Sequence, residues 1–150
     1  GRFATGVTVV TACEAAGSAP VGITVNSFAS VSLDPALVLW SAARSSLRHA
    51  HFSRASAFAI HVLGAAQTGL AERFSRSDAS FSGIRFSVNE HGVPLLAGSL
   101  ARFECLTEAQ HEGGDHTIII GRVTRFTLGN ACAPLVFARG RFGRFDDVTG

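Results

Sequence analysis

Gly22-Ile-Thr-Val-Asn-Ser-Phe-Ala-Ser-Val-Ser-Leu-Asp-Pro35 begins as a β-branched strand ending near Val25, then alternates small polar residues with apolar ones until Asp34-Pro35 closes it as a turn. Working outward, Val7–Thr11, Leu37–Ser41, Phe58–Leu63, Phe86–Val88, Leu100–Leu106, Thr117–Phe126 and Leu135–Ala138 have the same character, each a short apolar or β-branched run bounded by turn residues. Along Ala101, Phe103 and Cys105 the apolar positions alternate with Arg102 and Glu104, which predicts a strand with one wet face. Only Ser45–Ala55 and Ala65–Phe74 break the rhythm; in the second, Ala66, Leu70, Ala71 and Phe74 fall on one helical face. Strands this numerous and this closely linked leave no room for a helix between each pair. The expected fold is therefore mainly β, a barrel with a few short helices rather than an open parallel sheet.

Bulk properties set bounds. With 150 residues, 47% of them hydrophobic and 16% charged, the chain suffices for one cored domain and is too short for two, so residues 1–150 are expected to form one unit. The net charge of +2 comes from thirteen scattered Arg against eleven carboxylates, without the basic stripe that nucleic acid requires. No apolar run approaches the length of a membrane span, and the N-terminus lacks a signal-peptide pattern. Cys13, Cys105 and Cys132 are widely spaced with no Cys-x-x-Cys pair, which reads as buried free thiols in a cytoplasmic protein. Because Gly1 runs almost at once into a strand, further residues are expected to precede it in the natural chain.

Two stretches carry candidate chemistry. Val25 to Ser32 can present backbone N–H and C=O groups, with the hydroxyls of Ser27, Ser30 and Ser32, to the polar rim of a planar ring; the ordinary alternative is a polar strand connection. Ser41-Ala-Ala-Arg-Ser-Ser46 sets Arg44 and the hydroxyls of Ser45 and Ser46 at the start of the first predicted helix, a combination suited to a phosphate; the alternative is plain helix capping. One strand, Leu37–Trp40, would then place a ring site and a phosphate site at its two ends, provided the chain folds back.

His111-Glu-Gly-Gly-Asp-His116 superficially resembles a zinc-protease motif, but its spacing is one residue too long and its glycines oppose a helix. It predicts a Gly-Gly hairpin with His111 and His116 facing each other, leaving a two-histidine metal site as a minor alternative; no metal is expected. His116, heading a long strand, can instead point into a pocket as a donor, or be a plain surface residue. His49, His51, His61 and His91 have no ligand-like spacing and read as surface or structural groups. Phe28 and Phe142 flank the proposed ring site in sequence, although a barrel Phe is more often core. Ser75–Ser82 has the composition of a mobile loop. No dinucleotide fingerprint, phosphate-loop motif or nucleophile elbow is present.

Phe3-Ala-Thr-Gly-Val-Thr-Val-Val-Thr11, Gly22–Pro35, Phe58-Ala-Ile-His-Val-Leu63 with Gln67 and Leu70-Ala71, Gly92-Val-Pro-Leu-Leu96, Leu100-Ala-Arg-Phe-Glu-Cys105, Gly114-Asp-His116, Ile120-Gly121 and Pro134-Leu-Val-Phe137, in that order, resemble the flavin reductase family. The resemblance implies a split-barrel homodimer that binds FMN or FAD, oxidises NADH or NADPH, and in many members serves a two-component monooxygenase. It implies that Val25, Asn26, Ser27, Phe28, Ser30, Val31 and Ser32 meet the flavin ring, that Ser41, Arg44, Ser45 and Ser46 hold its phosphate, and that His116 lies beside the ring near the nicotinamide. It also implies a site completed near the subunit interface. Three positions depart from the family's usual residues: His61 stands for Asn, Arg48 for Thr and Phe142 for Tyr, the last removing a hydroxyl beside the cofactor.

The reaction expected from this resemblance is hydride transfer from nicotinamide C4 to flavin N5, with His116 orienting the nicotinamide or assisting protonation. Two alternatives remain open. The same barrel could reduce an organic substrate directly, or it could bind flavin or haem without catalysis.

Overall fold

Thr8–Ala12 is buried along its whole length, and this two-sided burial places it at the centre of the molecule rather than at a rim. The computed structural model describes residues 1–14 and 18–148. The strands are β1 (Thr5–Gly6), β2 (Thr8–Ala12), β3 (Val21–Val25), β4 (Ala29–Leu33), β5 (Ala36–Ala43), β6 (Ala57–Val62), β7 (Phe86–Val88), β8 (Pro94–Leu96), β9 (Ala101–Gly113), β10 (His116–Leu128), β11 (Leu135–Ala138) and β12 (Arg141–Arg144). The helices are α1 (His49–Arg54) and α2 (Thr68–Ser75), the latter entered through a 3-10 turn at Ala65–Gln67.

Seven antiparallel strands form the main sheet in the order β3-β2-β6-β9-β10-β5-β4. The sheet curls on itself: Val10 of β2, Trp40 of β5, Ile60 of β6, Cys105 of β9 and Ile119 of β10 share one interior cluster. The terminal strands β3 and β4 are not paired with each other and are joined by Asn26–Phe28, so the barrel is split along this seam. Phe28 packs from the seam against Phe103 with ring centroids 5.2 Å apart. Trp40 is fully buried, edge-on to Phe52 at 5.0 Å and to Phe58 at 6.2 Å, contacts that offset an indole N–H with no hydrogen-bond partner among the described residues.

Gly121 faces the interior where β9 and β10 slip register; a Cβ there would lie 2.5 Å from Phe58 Cζ and 2.9 Å from Cys105 Cβ, so only glycine lets the strands approach. A second cluster, Val7, Val9, Leu63, Phe74, Leu96 and Leu135, lies outside the barrel beneath α2 and the small sheet β1-β11-β12.

Several expectations are corrected. Ala29–Leu33 is a true edge strand, and β1, β8 and β12 add further short strands. Arg102 and Glu104 do not form a wet face: Glu104 is 2% exposed, capped by Asn89 Nδ2 at 3.0 Å, and Arg102 Nε lies 3.5 Å from its carboxylate. The β9–β10 turn is Gly114-Asp115 with Gly114 at φ +69°, so Gly113 pairs with His116 while His111 faces Ile118; the two histidines do not oppose each other. The first helix begins at His49, not Ser45, because Ser46 Oγ accepts the Arg48 N–H at 3.2 Å in a local turn that competes with helix. Cys132 is exposed, whereas Cys13 and Cys105 are buried; burial, and then the Glu104 charge, push the Cys105 thiol up to about 12.

The Ser75–Ser82 segment is tied down: Arg73 Nη1 donates to the carbonyls of Ser80 at 3.2 Å and Ser82 at 2.6 Å, and Phe81 packs on Phe74 at 5.0 Å. His61 is fully buried. Its Nδ1–H donates to Val9 O at 3.0 Å, and its Nε2 accepts the Leu96 N–H at 3.0 Å, which fixes the neutral ring in one tautomer.

Candidate active site

Thr8 Oγ1 donates to Val25 O at 3.0 Å and holds the end of β3 where the chain leaves the sheet. Asn26–Phe28 crosses the seam, and β4 returns antiparallel to β5 with Ala29 opposite Leu39. The cis Asp34-Pro35 peptide closes this hairpin. The fold-back brings Ser27 to Ser41: Ser41 N–H donates to Ser27 Oγ at 2.9 Å, and the Ser27 hydroxyl approaches Ser41 O at 3.4 Å. The ring and phosphate stretches, fourteen residues apart in sequence, are thereby joined side by side.

Ala29, Ser30 and Val31 are exposed and Ser32 is half-buried. The β4–β5 register slips between Ser30 and Ser32, leaving Val31 as a bulge, and among the described residues the outer edge of β4 has no strand partner.

At the far end of β5, His116 pairs with Ala43, two residues or roughly 7 Å from Ser41. Trp40 and Ala42 point inward, so Ser41, Ala43 and the opposing His116 share the outer face of the sheet. Arg44 N–H donates to Asp115 O at 2.9 Å, docking the hairpin tip against the turn after β5. His116 Nδ1 lies 2.7 Å from Asp115 Oδ1, and this contact holds the Asp115 carboxyl below the usual carboxylate range. His49 Nε2 contacts Thr117 Oγ1 at 2.9 Å and ties α1 to the same strand. Arg44, Ser45 and Ser46 form a turn beside this tip; the Arg44 guanidinium reaches Glu112 at 3.4 Å in an exposed pair.

A cleft of about 580 Å³ opens at the seam between Phe3–Thr8 on one side and Asn26–Ala29 on the other, with Val62 beneath. Asn26, Ser27 and Phe28 therefore line a ligand-sized space, and Ser41, Arg44, Ser45, Ser46 and His116 gather at the adjoining end of β5. Phe142 is not brought into this cleft; it pairs with Phe137, ring centroids 5.4 Å apart, in the outer cluster.

Sequence reasoning missed Phe3 and Thr5 on the opposite wall, Asp115 beside His116, and Arg48. Arg48 Nη1 donates to Gly22 O and Phe74 O, both at 2.9 Å, joining β3 to the C-terminal end of α2, and burial lowers its pKa. Asp115 adjoins His116 in the motif, and Thr5 lies in the Phe3–Thr11 stretch, so both were visible as residues though not as site members. Among the described residues no group of three or more His, Cys, Asp and Glu side chains could hold a metal ion.

A barrel split along one seam, with an apolar cleft opening at that seam, defines a split-barrel protein. Residues 1–146 match the family model described as flavin reductase like domain, and the chain belongs to that family. It is 56% identical over 145 residues to the FMN reductase (NADH) SmoA of Agrobacterium fabrum, covering 97% of this chain and 82% of that protein. It is 45% identical to the reductase component of a flavin-dependent trigonelline monooxygenase from Acinetobacter baylyi, covering 95% of this chain but 46% of that one, so the chain spans about half of that relative. Among solved structures, the NADH:FAD oxidoreductase SgcE6 of Streptomyces globisporus, in complex with NAD and FAD fragments, superposes with a TM-score of 0.90 at 40% identity, covering 99% of this chain and 90% of that one.

Proposed function

We propose that this chain is an NAD(P)H-dependent flavin reductase that takes FMN or FAD at the split seam and supplies the reduced flavin to a partner monooxygenase. The observation that carries the reading is the Ser27–Ser41 hydrogen bond, which sets the Asn26–Phe28 crossing two residues from the position on β5 that pairs with His116. The residues fit a flavin: the cleft is mostly apolar, as ring faces require, and polar groups converge at its border through Asn26 and Ser27. Backbone groups of Val25–Ser32 take the polar rim, and Arg44, Ser45 and Ser46 take the phosphate. The cofactor pair supplies hydride transfer from the nicotinamide to the flavin. The protein holds the rings in register, and His116, oriented by Asp115, presents its Nε2 as the polar contact beside them.

Relatives that are reductase components of flavin-dependent monooxygenases support the partner assignment. A homodimer is supported by exposed apolar side chains at Val31, Leu33, Phe126 and Leu128 on β4 and β10. No helix among the described residues is long and apolar enough to cross a membrane, and we place the protein in the cytoplasm, where reduced nicotinamide is available.

Steady-state NADH and NADPH consumption with and without added FMN or FAD tests the reading. Consumption that depends on added flavin is expected. Consumption that requires an organic acceptor instead supports direct substrate reduction, and none under any condition leaves a binding protein.

A further inference from the structure

Away from the seam, a second cleft of about 450 Å³ opens where the start of β9 and the end of β10 meet the Ala97–Ser99 turn and the Gly129–Cys132 segment. It shares no lining residue with the seam cleft. Its frame is fixed: Gln67 Nε2 donates to Ala97 O at 3.2 Å, Gly129 N–H donates to Leu100 O at 2.8 Å, and a Cβ at Gly129 would collide with Ser99 O. Arg102 and Thr127, directly opposed in the β9–β10 register, form one wall, and Ser99, Asn130 and Cys132 complete the polar lining. Arg102 is the one charged residue among the described residues that line this cleft, and its side chain is 22% exposed. A guanidinium carries five N–H donors, and donors withdrawn from water are normally hydrogen-bonded. Here Nε lies buried 3.5 Å from Glu104 Oε2 without a hydrogen bond, while the terminal nitrogens are neither fully buried nor hydrogen-bonded to a described residue. Their donors are left to the cleft. Glu104 itself is held by Asn89 Nδ2 at 3.0 Å.

We infer that this cleft is a second ligand site, which takes a small oxyanion, a carboxylate or a phosphate group, on Arg102. The planar fork of an arginine matches two oxygens of such a group. The hydroxyls of Ser99 and Thr127 and the amide of Asn130 add neutral donors, and no carboxylate among the described lining residues repels the ligand. The inference does not depend on the flavin reading, since no seam residue takes part in it.

Cys132 lines the same cleft and is exposed, whereas Cys13 and Cys105 are buried, so its reactivity reports on the site. Alkylation of Cys132 in the full chain is followed by peptide mass spectrometry with iodoacetate, an anion, and with neutral iodoacetamide. The ratio of the two rates should be roughly threefold higher in the wild type than in Arg102→Gln, because one nearby cation in a partly wet cleft draws in the anionic reagent. The ratio cancels any change in the thiol itself. Inorganic phosphate or acetate at millimolar concentration should slow the reaction with iodoacetamide, relative to sodium chloride of equal ionic strength, and Arg102→Gln should abolish that protection. Protection by phosphate alone supports a phosphate-bearing ligand, by acetate alone a carboxylate-bearing one, and by both a site open to either group. Thr127→Asp places a carboxylate opposite Arg102 as a built-in competitor; it should cause the same losses, and it serves as the probe where Arg102→Gln folds poorly. A rate ratio equal in the wild type and both variants, no protection by either anion, or protection that survives both substitutions would each overturn the inference.

Discussion

The Ser27 side-chain oxygen accepts the backbone N–H of Ser41 at 2.9 Å, and through this bond the open seam of the barrel is latched to β5. Ser27→Ala leaves the half-buried Ser41 N–H unpaired and frees the Asn26–Phe28 crossing. Flavin affinity should fall several-fold, and stability by about 1 kcal/mol. Fluorescence titration and urea denaturation measure the two effects. Loss of stability with flavin affinity intact would show that the latch shapes the barrel but not the site.

In the proposed reading His116 acts on the paired rings and does not hold the flavin. His116→Ala should slow reduction of bound flavin by roughly 100-fold, the low end for a positioned acid–base group, while flavin affinity stays within about twofold. Asp115→Ala, which removes the carboxylate 2.7 Å from Nδ1, should slow the same step less and leave affinity alone. Anaerobic rapid mixing separates the step from binding, and an unchanged rate in the His116 variant would remove this residue from the reaction.

His61 makes stability depend on pH. Burial is the main cause that lowers its pKa from 6.5 to about 4, so the folded protein resists a proton that the unfolded chain accepts. Its contribution is complete above about pH 6.5 and is lost progressively as pH falls toward 4, amounting to roughly 3 kcal/mol across that window. His61→Asn, which removes the titrating ring, should flatten the fall. Denaturation midpoints at several pH values check this, and parallel curves for the two proteins would contradict it.

Gly121 tests the barrel interior. Gly121→Ala places a methyl against Phe58 and Cys105 with no space to yield, and should destabilise by about 1–3 kcal/mol. Thermal unfolding without ligand measures it; an unchanged midpoint would mean that the β9–β10 slip can shift to admit a side chain.

Local patterns were legible. Phe86–Val88 and Leu135–Ala138 form strands over the predicted residues because each is a β-branched or aromatic run bounded by turn residues, and β3 ends at Val25 as expected. What the sequence hid is non-local. Ala29–Leu33 carries little apolar signal and becomes a strand only because β5 pairs with it. Glu104 lies on a strand that alternates as if half-wet, yet the turn bearing Asn89 covers it. The β9–β10 turn shifted by one residue because Gly114-Asp115 supplies the glycine-first turn as readily as two glycines would. In the candidate site, Asn26, Ser27, Ser41 and His116 stood out as candidates from their motifs, whereas the Thr5 wall depends on β1 joining β11 more than a hundred residues away.

The most direct test of the central claim is anaerobic mixing of the FMN-loaded protein with NADH carrying deuterium at one or the other C4 position, following the flavin absorbance. The account predicts bleaching of the flavin that is slowed by deuterium at one C4 position and not the other, as expected for hydride transfer between rings held in a fixed stack. Flavin that stays oxidised, or bleaching equally fast with both deuterated forms and with unlabelled NADH under conditions where reduction limits the rate, would contradict it.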